Sequence, residues 1–230
     1  MNLSMPPRWR RIPIAAVLLL TTAVWAGPAA AHPHVFVTAS VQFVGDGKGD
    51  LTAVRSGWVF DEMFSSSLLM DFDRNADGTL DEKELEAIGA TVLHSAAAYN
   101  YFTVLKDEGK PIALAAPDKF RALIENGHLV LLTEMRPASQ VALDGVDLTL
   151  SIYDPSFYVS IDVTSNDQVR LTDLPETCQS SILAEPETDG AAAWLNQVAG
   201  LGKSEKIPAD GVNYAELVSS RIKLVCGKHP

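Results

Sequence analysis

The chain has 230 residues, 47% of them hydrophobic, and a formal net charge of −11 from 18 basic and 29 acidic side chains. So acidic a surface argues against nucleic acid as a partner, because phosphates are held by Lys and Arg. It also disfavours anionic membranes and is compatible with attracting cations.

The first residues define a leader. Arg8, Arg10 and Arg11 precede an apolar run over residues 12–25, and Ala29 and Ala31 follow at small-x-small spacing. This is the layout of a secretory signal peptide, and the run is shorter than the roughly 20 residues a bilayer needs. The expected leader is residues 1–31, cut after Ala31. The mature chain would begin at His32 and be periplasmic, not an integral membrane protein. Its charge would be −14, from 15 basic and 29 acidic residues once three Arg are lost. Its roughly 200 residues can bury one sizeable core or two modest ones.

Strand alternation begins at VFVTASVQFV, residues 35–44. GDGKGD then turns the chain into LTAVRSGWVF, residues 51–60, which predicts a hairpin. At Asp61 the period changes. Phe64, Leu68 and Phe72 recur at helical spacing, and Leu85, Ile88, Val92 and Ala96 predict a second helix running toward Tyr99. Residues 101–114 read as strand, turn and strand. Asn126-Gly127 predicts a hairpin within residues 121–135. Residues 146–154 and 157–164 read as two more strands joined through Pro155-Ser156. From Leu183 the character changes. A loop at 185–190, a helix at 191–201 and a linker at 202–211 lead to a final helix or strand at 214–226. The sum is an α+β fold, mainly antiparallel sheet, in a single domain over 32–230 with a helix–loop–helix inserted at about 61–98.

The inserted loop is DRNADGTLDEKE. Asp73, Asn75 and Asp77 occupy slots 1, 3 and 5 of a twelve-residue loop. Gly78 stands at the sharp turn, Thr79 offers a carbonyl at slot 7, Asp81 stands at 9 and Glu84 closes at 12. This is the oxygen set of an EF-hand-like calcium loop. A hydrated acidic turn that binds no metal is the plainer alternative. With one loop rather than a sensor's usual pair, a structural calcium ion is the expected occupant.

If His32 becomes the first residue, its free amine and imidazole can grip one metal, with His34 adding a second imidazole. Pro33 removes the amide nitrogen that a square-planar amino-terminal copper or nickel site would use. A nitrogen-rich set suits zinc, nickel, cobalt or copper. The plainer alternative is two His residues in a frayed end. His94 is expected to pack or face solvent, His128 to be exposed, and His229 to approach only if the tail returns to the N-terminus. Asp154 before Pro155 suggests a turn more than a pocket. Cys178 and Cys226 form an even pair, which in an oxidising compartment reads as a disulfide linking the C-terminal segment. Thiolate metal ligation is the rival, without CxxC spacing to support it. No G-x-S-x-G elbow, H-E-x-x-H helix or cysteine nucleophile marks an enzyme.

AHPHVFV after a leader, WVFDE before a helix, DRNADGTLDEKEL, YFTVL and YDPSFYVSI together resemble the bacterial periplasmic domain-of-unknown-function 1007 family. Its members are commonly described as the periplasmic component of an uncharacterised ABC-type transport system, often encoded beside nickel/cobalt-type permeases. The resemblance implies a divalent transition-metal-handling accessory of an inner-membrane permease, with zinc, nickel or cobalt as cargo. It also implies that His32 and His34 belong to the family's starting motif and Asp73, Asn75, Asp77, Asp81 and Glu84 to its acidic loop. The alternative is a calcium-stabilised module that regulates a permease without ligating its cargo.

Overall fold

The computed structural model describes residues 34–183, 193, 194, 196 and 214–228. The leader over 1–31, His32, His229 and the expected linker at 202–211 lie outside the described residues. Of the helix expected at 191–201, only Ala193, Trp194 and Asn196 are described.

In chain order the strands are β1 (Val35–Gly45), β2 (Leu51–Phe60), β3 (Thr103–Asp107), β4 (Lys110–Ile112), β5 (Arg121–Glu125), β6 (His128–Met135), β7 (Asp147–Ile152), β8 (Val159–Asp162), β9 (Val169–Thr172), β10 (Cys178–Leu183) and β11 (Ser220–Cys226). The helices are α1 (Glu62–Phe72), α2 (Glu82–Ala96) and a short α3 (Tyr214–Leu217). The mixed α+β class and the predominance of sheet follow the sequence reading.

The strands form two sheets. One has the order β5-β6-β2-β1-β8, with β9 also pairing β1; the other has the order β10-β11-β7-β3-β4. The β1–β2 hairpin spans its predicted residues, with a register shift at Val44/Gly45. Strict alternation explains why β1 is so legible: Val35, Val37, Ala39, Val41 and Phe43 are buried while Phe36, Thr38 and Ser40 are exposed. The buried faces of both sheets feed one core cluster. Trp58, Leu131, Leu105, Leu150, Ile152, Ile222 and Leu224 all belong to it.

One local expectation is corrected, and two strand placements lie beyond the sequence reading. The segments on either side of Pro155-Ser156 are not neighbours: β7 lies in the second sheet between β3 and β11, and β8 pairs parallel with β1 in the first. Strand β9 pairs parallel with β1, and at four residues it is too short to reveal alternation. The second helix stops at Ala96, short of Tyr99, and continues as a 3-10 segment, Ala97–Phe102. There Asn100, Tyr101 and Phe102 take φ of 50°, 52° and 57°. Three successive left-handed residues cannot extend an α-helix.

Cys178 and Cys226 are bonded to each other, on directly paired positions of β10 and β11. Thiolate metal ligation by this pair is thereby excluded, because both sulfurs are used in the bridge.

Candidate metal sites

The acidic loop lies where its sequence puts it, between α1 and α2. Asp61 caps α1, its Oδ1 accepting the Phe64 amide at 2.8 Å, and Asp73 stands at the other end as the C-cap. Within the loop the Asp73 carboxylate accepts the amides of Asp77 (3.2 Å) and Gly78 (2.8 Å). Gly78 has φ +80°, the left-handed value that glycine tolerates best. Asp77 Oδ1 accepts both the hydroxyl and the amide of Thr79, which hold its carboxyl below the usual aspartate range. Asn75 Nδ2 donates to Asp77 Oδ2 at 3.0 Å.

Asp81 and Glu84 form a capping box at the start of α2. Glu84 is buried, at 5% exposure, and each of its oxygens accepts a loop amide: Arg74 at 2.7 Å and Asp81 at 2.9 Å. The loop's first and last turns are therefore tied together through one carboxylate. The donors are all hard oxygens, the kind calcium takes. Among the described residues, however, no group of three or more His, Cys, Asp or Glu side chains is gathered in the manner of a metal cage. Asp73, Asp77, Asp81 and Glu84 each accept backbone amides of the loop instead.

His34 is the described half of the amino-terminal candidate. It does not fray. Its amide donates to the Tyr158 carbonyl at 2.9 Å, its ring lies 4.9 Å from the Tyr158 ring, and the adjacent Val35 amide also donates to Tyr158. That carbonyl is presented by a turn built on Asp154, which is 4% exposed. Asp154 accepts the amides of Ser156, Tyr158 and Val159 and the Ser156 hydroxyl. The expected Asp154 turn is present, and it fixes the start of β1.

Asp61 joins the two regions. Its Oδ2 accepts the Phe36 amide at 2.9 Å, so α1 begins beside the start of β1 and ends at the acidic loop. Eleven helical residues rise about 16 Å. The acidic loop and His34 therefore lie toward opposite ends of one helix. The remaining histidines fall elsewhere. His94 is exposed on α2, and His128 is half-buried, with Nδ1 2.8 Å from the Phe60 carbonyl, instead of exposed as expected. No helix among the described residues is long and apolar enough to cross a membrane.

Residues 17–226 match a family described as "Protein of unknown function (DUF1007)". The chain is 24% identical to an uncharacterized protein of Haemophilus influenzae over 192 residues, which cover 82% of this chain and 89% of that one. It is 30% identical over 105 residues to an uncharacterized 15.5 kDa protein of Spirochaeta aurantia, covering 45% of this chain and 74% of the relative.

Proposed function

The chain belongs to the DUF1007 family, and from that premise we propose that it is a periplasmic accessory protein handling a divalent transition metal for an inner-membrane permease of the nickel, cobalt or zinc type. The observation that carries this reading is the anchoring of His34. An imidazole two residues from the expected mature end is fixed against Tyr158, on a turn organised by a buried carboxylate. A pre-positioned ligand loses less conformational freedom on binding than one in a loose tail. In this reading His32 contributes its amine and imidazole, and His34 supplies the second ring.

The acidic loop has a separate role in the proposal. Asp73, Asn75, Asp77, Asp81, Glu84 and the Thr79 carbonyl would hold calcium, a hard cation suited to their oxygens. Bound there, it would stiffen the junction of α1 and α2. The soft-to-borderline cargo and the hard brace are kept apart by donor chemistry as well as by distance.

The test is N-terminal sequencing of exported protein followed by calorimetry with zinc, nickel, cobalt and calcium. His34→Ala is expected to weaken the preferred transition metal by at least about tenfold, as when one of two anchoring groups is lost, and to leave calcium binding intact. Unchanged transition-metal affinity in that variant overturns the assignment.

A second reading, a calcium-braced module that docks on a permease without touching cargo, is favoured by one feature. Met63 and Met70 stand seven residues apart on one side of α1, 77% and 84% exposed. Under this reading Met63→Ser with Met70→Ser lowers retention on permease-bearing membranes while metal affinity stays unchanged.

A further inference from the structure

A groove of about 640 Å³ crosses the outer face of the first sheet, far larger than needed for a bare ion and within the range of small-molecule sites. Its floor exists because β2 carries no side chain at Gly57. In the register Gly57 faces Ser40 on β1 and Leu132 on β6. A Cβ there would stand 2.8 Å from Ser40 Oγ and 3.3 Å from Leu132 Cδ2, so any larger residue would fill the dip.

Both ends of the groove carry cations, with Asp118 beside Lys119 and Asp167 near Arg170. Arg121 on β5 lines one end together with Lys119, and Arg170 on β9 lines the other. Arg121 is in register with Leu132, and Arg170 with Gln42. Four strand spacings separate β5 from β9, about 19 Å between backbones. Long side chains lining the groove from both ends shorten the gap between their charges.

Charge distinguishes this groove from the rest of the molecule. The chain is −11 overall, yet the groove is lined by four cations against three acids. Glu134 pairs off with Arg55 and Arg136, which leaves Lys119, Arg121 and Arg170 against Asp118 and Asp167, the latter still charged although it accepts the Ser165 hydroxyl. Lys119, Arg121 and Arg170 form no ion pair with any described residue. Guanidinium groups left unpaired in a concave, partly apolar site suit the planar fork of a carboxylate or phosphate.

We propose that this groove binds an elongated small-molecule anion with an acid group at each end, held by Arg121 and Lys119 at one end and by Arg170 at the other. Leu132 and the bare backbone at Gly57 would receive the ligand's apolar middle. The site shares no residue with the acidic loop or with His34, so it stands or falls separately from the metal-handling reading.

The test uses the whole exported protein with linear dicarboxylates of four to ten carbons, their neutral diamides, and inorganic pyrophosphate, read by titration calorimetry. Saturable binding of at least one dicarboxylate is expected, with no binding of its diamide. Affinity should fall about tenfold or more in Arg121→Ala and in Arg170→Ala, and should weaken as salt rises. Both substitutions are at exposed positions and leave the fold intact, which a circular dichroism melt verifies. Binding of pyrophosphate with the same dependence on Arg121 and Arg170 supports the groove and assigns its ligands to the phosphate class. Failure of every anion to bind, or affinity undiminished in the Arg121→Ala, Arg170→Ala double variant, overturns the proposal.

Discussion

Single side chains carry much of the local order around the two candidate sites. Glu84 is the clearest, because a buried carboxylate ties both ends of the acidic loop by hydrogen bonds to the Arg74 and Asp81 amides. Glu84→Ala strips both acceptors, and its expected cost is about 1–3 kcal/mol, read as a lower urea midpoint. Glu84→Gln keeps the shape and one oxygen; it should recover part of that stability without recovering the calcium binding proposed for the loop. Glu134 makes a pH prediction. The hydrogen bond from Arg55 holds its carboxyl below the ordinary 4.5, with Arg136 adding to the effect. A carboxyl favoured in its charged form by the fold contributes fully above its unfolded value and loses that contribution as pH falls through the lower folded one. The stability difference between the parent and Arg55→Ala should therefore be steady at pH 6 and shrink below about pH 4.5, as urea denaturation across a pH series would show. Both partners keep solvent contact, 49% and 27% exposed, so the difference is expected to be small and salt-sensitive.

At the scale of elements, close approach matters more than propensity. Helix α2 lies against the segment leading into β5, and a Cβ on Gly89 would stand 2.1 Å from the Phe120 carbonyl oxygen. Gly89→Ala improves helix propensity by up to about 1 kcal/mol and yet should destabilise the protein, since backbone must move to admit the methyl group. Faster amide exchange in β5, with α2 itself still helical, would mark the separation; unchanged exchange and a higher melting temperature would contradict it. The left-handed run at Asn100, Tyr101 and Phe102 ends the helical segment at a second corner. Aromatic contacts position this corner: Phe102 lies 6.0 Å from Trp58, and Tyr101 lies 6.4 Å from Phe120. Helical periodicity up to Ala96 was readable; its end was not, because those partners lie 44 and 19 residues away along the chain.

For the molecule as a whole, the Cys178–Cys226 bridge closes a long loop, at a sequence separation of 48. Chain-entropy arguments put its contribution at about 4 kcal/mol. Replacing both residues with Ser should lower the urea midpoint, and the more expanded unfolded chain should raise the m-value. Had the midpoint stayed in place, the bridge would be an ornament on strands already secured by pairing.

Periods and spacings within a short window settled the class of fold, the β1–β2 hairpin, the helices on either side of the acidic loop and the glycine at its turn. These depend on neighbours along the chain, where backbone sterics and hydrogen bonding act locally. The tertiary structure alone decided that β8 and β9 run parallel to β1, that Asp154 and Tyr158 secure His34, and that Arg121, Gly57 and Arg170 border one groove. Those residues meet only through strand register across a sheet, and register is a property of partners distant in sequence.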